Sequence, residues 1–111
     1  SEKIKIDLRL PESFPDKSIP PLLFTSFIEN AFKHGISYQK PSFIDIEFIC
    51  QDQSLEFKIK NSNFKRDTED YSSGIGIENS RKRLELIYGQ NYDLNINENE
   101  NEYFLQLNIP L

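Results

Sequence analysis

Glu29 and Asn30 stand side by side, with Lys33 one helical turn beyond Glu29, in the stretch PPLLFTSFIENAFKHG that spans residues 20–35. On a helical wheel Leu23, Phe24, Phe27, Ile28, Ala31 and Phe32 share one side, so the spacing predicts an amphipathic helix. Ser26, Glu29, Asn30 and Lys33 form a narrow polar arc opposite. Asn30 falls at its border, beside Leu23, where an amide can sit half inside a pocket. A plain amphipathic helix is the alternative reading of this stretch alone. A second stretch adds to it. Gly74-Ile75-Gly76 runs into a helical pattern over Ile77–Tyr88, followed by Gly89. The first N–H groups of a helix lack internal partners and the dipole is positive there, so a glycine-flanked start can receive an anion.

The order ENAFKHG, a strand, a loop, then GIGIENSRKRLELIYG resembles the ATP-binding domain of two-component sensor histidine kinases. The match is to the LytS-like class within the GHKL (Bergerat-fold) ATPases. Residues 29–35 resemble the N box and residues 74–89 the box that closes the ATP lid. With the strands around them, the resemblance covers nearly the whole chain. It implies ATP and Mg²⁺ as ligands, and a flexible lid over residues 62–75. It also implies a phosphoacceptor histidine on an upstream dimerisation segment, and a response regulator downstream. The intact protein would be a homodimer, with this domain in the cytoplasm below an inner-membrane sensor.

The resemblance also assigns roles residue by residue. Asn30 matches the Mg²⁺ ligand, and one hard amide oxygen suits a cation that keeps phosphate oxygens and waters as its other ligands. Glu29 matches the acid near the γ-phosphate, where a carboxylate can take or orient the proton of the attacking group. Lys33 is either an i,i+4 ion-pair partner of Glu29 or a point charge for the triphosphate. The adenine edge meets an Asp of a DxGxG motif in this family. Here the corresponding residues read Asn61-Ser62-Asn63-Phe64-Lys65. Asn61 is either a neutral acceptor for the adenine amino group or a strand-end turn residue. Gly74 and Gly76 would hinge the lid and bring N–H groups to the phosphates, or serve only as turn residues before the helix. Asn79 and Arg81 are the remaining phosphate candidates; Lys82 and Arg83 point elsewhere on the wheel. His34, the single histidine, falls inside the apolar arc and reads as a structural residue rather than the phosphoacceptor. Two rival readings are a degenerate domain acting as a nucleotide sensor or interaction scaffold, and an anti-sigma-type serine kinase.

Composition bounds these readings. The 111 residues suit one domain, and the start on a charged strand rather than a Met suggests a piece cut from the C-terminal end of a longer protein. A formal net charge of −5 argues against nonspecific nucleic-acid binding, although Lys65, Arg66, Arg81, Lys82 and Arg83 leave room for a local basic patch. The lone Cys50 cannot close an internal disulfide, which suits a reducing compartment. With one His and one Cys, a thiolate or imidazole zinc cluster is excluded. No apolar run approaches membrane-spanning length, and no signal peptide is present.

The elements that must position these residues follow from periodicity. Lys3–Leu10 alternates, with Ile4, Ile6, Leu8 and Leu10 on one side of a half-buried strand. Pro11–Pro21 is a proline-rich connector. The helix then opens at Ser18 or the Pro20-Pro21 pair and is capped by Gly35. Phe43–Cys50 and Leu55–Ile59 alternate about the turn Gln51–Gln53 and read as a hairpin. Asn61–Ser73 reads as a polar loop. In the second helix Ile77, Leu84, Ile87 and Tyr88 face inward, and Leu86 is left unexplained. Tyr92–Asn97 and Tyr103–Ile109 are the last strands, joined by the acidic turn Glu98–Glu102. The order β-α-β-β-α-β-β predicts an α+β fold. It is a two-layer sandwich with a mixed five-stranded sheet and helices on one face.

Overall fold

A computed structural model describes residues 3–14, 19, 22–64 and 72–111, with residues 72–75 as backbone alone. The elements are β1 (Ile4–Arg9), α1 (Thr25–Gly35), β2 (Ser42–Gln51), β3 (Ser54–Ser62), α2 (Ser72–Tyr88), β4 (Asp93–Glu98) and β5 (Glu102–Pro110). The five strands form one sheet in the order β1-β2-β3-β5-β4. β1 lies parallel to β2, and every other neighbouring pair is antiparallel. The expected two-layer, mixed-sheet architecture is the one observed.

Alternation decides which side chains meet the helices. Ile44 and Ile46 of β2, Leu55, Phe57 and Ile59 of β3, and Leu105, Leu107 and Ile109 of β5 are buried on one face. Leu23, Phe27 and Ala31 close the core from the α1 side and Leu84 from α2. Phe24, Phe48 and Phe57 form an aromatic knot beneath the start of α1. Phe24 meets Phe48 edge-on at 5.2 Å, and both rings lie 4.8 Å from Phe57. The opposite face of the sheet is charged. Arg9 meets Asp45 at 2.9 Å and Glu47 at 3.6 Å, Lys58 meets Glu56 at 3.5 Å, and Lys60 meets Glu102 at 3.9 Å. Such ladders suit a water-facing sheet and contribute little stability each.

Several local expectations need correction. α1 begins at Thr25, not at Ser18 or the Pro20-Pro21 pair, because Leu22 has φ of 66° and cannot be helical. Pro20 and Pro21 themselves lie outside the described residues, as does Ser18. Phe32 is 42% exposed despite its place on the apolar arc, and so is Ile87 at 43%. Leu86 is fully turned to solvent. β1 does not bury its apolar face as expected: Ile6 and Leu8 lie in register with Ile44 and Ile46 yet are exposed, at 49% and 57%. The reason is position, since β1 is the edge strand and α1 packs over β2 and β3.

α2 starts at Ser72, so Gly74 and Gly76 sit within the helix rather than ahead of it. The polar stretch Asn61–Ser73 is likewise shorter than expected, because Asn61 and Ser62 extend β3 while Ser72 and Ser73 open α2. Residues 65–71, the middle of the expected lid, lie outside the described residues, with Lys65 and Arg66 among them. Gly35 is not a left-handed cap. The chain leaves α1 in an extended conformation at Ile36, φ −116° and ψ 130°, and the left-handed glycine is Gly89, φ 63°, after α2.

Candidate functional site

The C-terminal end of β3 runs under the C-terminal end of α1. Leu55, Phe57 and Ile59 face the helices, and the same alternation brings Asn61 onto that face as the next residue of the row. An amide thus stands where the pattern would put another aliphatic side chain. Asn61 is only 1% exposed. Its Nδ2 donates to the Ser62 carbonyl oxygen at 2.7 Å. Its Oδ1 is buried and meets no hydrogen-bond partner among the described residues. A buried carbonyl oxygen without a donor costs on the order of 1–3 kcal/mol, so the position is expensive unless a ligand supplies that donor.

The packing around this amide is tight because Gly35 has no side chain. A methyl group there would lie 2.9 Å from Asn61 Nδ2 and 3.2 Å from both Asn61 Cβ and the Ser62 carbonyl oxygen. Ser62 fastens the junction. Its Oγ donates to the Gly35 carbonyl oxygen at 2.5 Å and accepts the Phe43 N–H at 3.0 Å, joining α1, β2 and β3. The chain then continues past the helix end, where the Phe64 N–H donates to the His34 carbonyl oxygen at 2.7 Å. His34 is 3% exposed, in keeping with a structural role inside the apolar arc. Neither Ser62 nor the close approach at Gly35 was foreseen from sequence. Ser62 reads as one more polar residue of a loop, and only the extension of β3 reveals its place.

The other expected residues fall on the two helices, which pack against each other on the same face of the sheet. Asn30 is half buried in the second turn of α1, whereas Glu29 and Lys33 are exposed. On α2, Gly76 has open space around its α-carbon, Asn79 is exposed and Arg81 half buried. Arg81 lines a hollow of about 630 Å³ together with Glu85, Tyr92 and Asn95, between α2 and β4. Its charge also reaches Tyr103, the β5 residue paired with Asn61. Burial, with Glu98 adding to it and Arg81 opposing, pushes the Tyr103 phenol up to about 12.

A wider hollow of about 1100 Å³ opens at the same end of the sheet as Asn61. Phe43, Ser62, Phe64, Glu98, Glu100 and Glu102 contribute to its wall, and Lys40 Nζ sits 5.7 Å from the Phe64 ring centre. Its acidic rim disfavours a polyphosphate. No group of three or more His, Cys, Asp or Glu side chains able to hold a metal ion occurs among the described residues. A divalent cation here would therefore draw most ligands from a bound phosphate and water. The half-buried amide of Asn30 fits that demand by donor type. Among the described residues no helix is long and apolar enough to cross a membrane.

No family profile matches the sequence, and no curated protein matches it. Solved structures do share the fold. The histidine kinase domain of the blue-light activated histidine kinase EL346 from Erythrobacter litoralis superposes with a TM-score of 0.66 at 15% identity, covering 100% of this chain and 56% of that one. The catalytic domain of histidine kinase ThkA, in a nucleotide-free form, gives 0.64 at 15% identity, covering 97% of this chain and 78% of that one. Histidine kinase AdeS from Acinetobacter baumannii gives 0.60 at 16% identity, covering 97% of this chain and 54% of that one. The chain has the fold of histidine kinase catalytic domains, and it spans about half the length of the EL346 and AdeS chains it matches.

Proposed function

We propose that this chain is the catalytic ATP-binding domain of a sensor histidine kinase. The observation that carries the reading is the buried, unmatched Oδ1 of Asn61 at the junction of β3 and α1. It is an acceptor awaiting a donor, and the 6-amino group of adenine is one. From that anchor the triphosphate would run along α1 and α2. Asn30 would hold Mg²⁺, which when bound offsets the charge of the β- and γ-phosphates. The exposed face of α1 presents Glu29 where the proton of an incoming nucleophile can be accepted, and Lys33 where a point charge can steady the triphosphate. Gly74, in the first turn of α2, would offer an unpaired backbone N–H to phosphate and Asn79 a side-chain donor, while Gly76, deeper in the helix, would leave room for the phosphate to approach. Arg81 would act from the β4 side of α2. Catalysis on this scheme is mostly positioning and charge neutralisation, with the nucleophile supplied by a histidine on an adjoining dimerisation segment. A response regulator would receive the phosphoryl group from the intact homodimeric protein.

Titration with a fluorescent ATP analogue, with and without Mg²⁺, tests the proposal. Saturable, Mg²⁺-strengthened binding is expected. No saturable binding up to millimolar analogue rejects it and leaves an interaction scaffold built on the same fold. The variant Asn30→Ala should keep the wild-type circular dichroism spectrum and lose the Mg²⁺ dependence; an unchanged curve would remove Asn30 from the metal site.

A further inference from the structure

We infer that β1 is a contact surface for a second copy of this chain: two β1 strands pair antiparallel about Leu8 and join two five-stranded sheets edge to edge. The contact is independent of the nucleotide reading above and separate from the dimerisation segment invoked there. β1 is an outer strand, with β2 on one side only. The Lys3 carbonyl oxygen accepts the Ser42 N–H at 2.8 Å, so Lys5, Asp7 and Arg9, which alternate on from Lys3, also turn their backbone groups toward β2. Ile4, Ile6 and Leu8 therefore turn theirs toward the open edge. β1 runs in unbroken register with β2 and carries neither a proline nor a charge on its helix-side face, the usual devices that block such an edge. That face is instead an apolar row, with Ile6, Leu8 and Leu10 all exposed.

Charge decides both the occupant and the register. Two-fold pairing about Lys5, Asp7 or Arg9 would set that charge against its own copy, and like charges directly opposite repel. Pairing about Ile4 would set Lys3 against Lys5, and pairing about Ile6 would set Lys3 against Arg9. Pairing about Leu8 sets Asp7 against Arg9 of the second copy, and Arg9 against its Asp7. On the helix-side face it sets Leu8 against Leu8 and Ile6 against Leu10. Arg9 already meets Asp45 at 2.9 Å, and its guanidinium has further N–H groups for the second copy's Asp7. Leu8 is one of the residues facing the edge, so the central pair exchanges both backbone bonds. β1 is thus complementary to itself about a two-fold axis, the property of a contact between copies. The pairing leaves the α1–β3 junction uncovered, because β2 stands between β1 and β3.

Sedimentation velocity of the 111-residue chain from micromolar to millimolar concentration tests the association. The wild type should pass from monomer to dimer as concentration rises. Leu8→Lys sets two ammonium groups against each other at the centre and should stay monomeric throughout. Asp7→Lys, facing Arg9, should weaken the dimer about tenfold. Lys5→Glu changes a charge that faces Pro11 and should not weaken it. Should Leu8→Lys fail to fold, cross-linking asks the same question in a Cys50→Ser background. Leu8→Cys should give covalent dimers on mild oxidation, because opposed residues of a hydrogen-bonded pair lie about 5.5 Å apart at Cα. Ile6→Cys, which faces Leu10, should not. A chain that stays monomeric to millimolar would overturn the inference and leave the open edge to an extended segment of another protein. Weakening by Lys5→Glu, or cross-linking through Ile6→Cys in preference to Leu8→Cys, would overturn it too, since either belongs to a contact centred elsewhere.

Discussion

Alanine at position 35 would press a methyl group into the junction of α1 and β3. The new carbon would lie 2.9 Å from Asn61 Nδ2 and 3.2 Å from the Ser62 carbonyl oxygen. Moving a side-chain amide would ease the first contact, were that amide not bonded to the same carbonyl at 2.7 Å. The second is backbone inside a strand and yields only if β3 shifts. Overpacking of this kind costs about 1–3 kcal/mol. Against it stands the helix preference of Ala over Gly, worth under about 1 kcal/mol in the last turn. The net loss is about 1–2 kcal/mol. Unfolding entropy of roughly 2.1 cal/mol/K per residue makes each kcal/mol worth about 4 °C for a chain of this length. Gly35→Ala should therefore melt about 4–9 °C lower, measured by differential scanning calorimetry or by circular dichroism. Gly76→Ala is the internal control. It lies within α2 with nothing within 4 Å of the added carbon, so the same substitution should raise the melting temperature by up to about 4 °C. If Gly35→Ala is as stable as the wild type, the close approach that fixes Asn61 does not exist.

The remaining predictions concern charge and backbone. Asn61→Asp would place a carboxylate oxygen against the Ser62 carbonyl, a clash that only the fold reveals. Its folded pKa is then raised above the ordinary value, so its stability should match the wild type most closely below about pH 4 and fall as pH rises toward neutrality, by about 1–3 kcal/mol. A loss that does not grow with pH in melting curves would contradict the geometry. The Tyr103 phenol, pushed up to about 12, should ionise above the ordinary tyrosine range in an absorbance titration. Its contribution to stability is complete below about pH 10 and is lost as pH rises through 12, the sign expected for a raised pKa. Gly89→Ala, at φ 63°, should cost about 1 kcal/mol and lower the melting temperature by about 4 °C; an unchanged value would mean that the turn relaxes without strain.

The sequence by itself determined the order of elements, the two-layer fold and most of the core. Those follow from apolar residues recurring at strand or helix period, and each such signal is local to its own segment. It also singled out Asn30, as an amide on the border of a helix's apolar face, and Asn61 through the resemblance to sensor kinases alone. What no local pattern contains is which backbone will arrive beside a residue from another segment. Only the tertiary structure decided that β1, though patterned for burial, is an edge strand with Ile6 and Leu8 about half exposed. The same holds for Gly35, kept small by the Asn61 and Ser62 of a strand 26 positions away rather than by its own backbone angle. Ser62 became a fastener for the same reason: its three partners come from α1, β2 and the residue before it. The direction in which the Asn61 amide points is a property of that meeting of chains, and the chemistry inferred for the site rests on it.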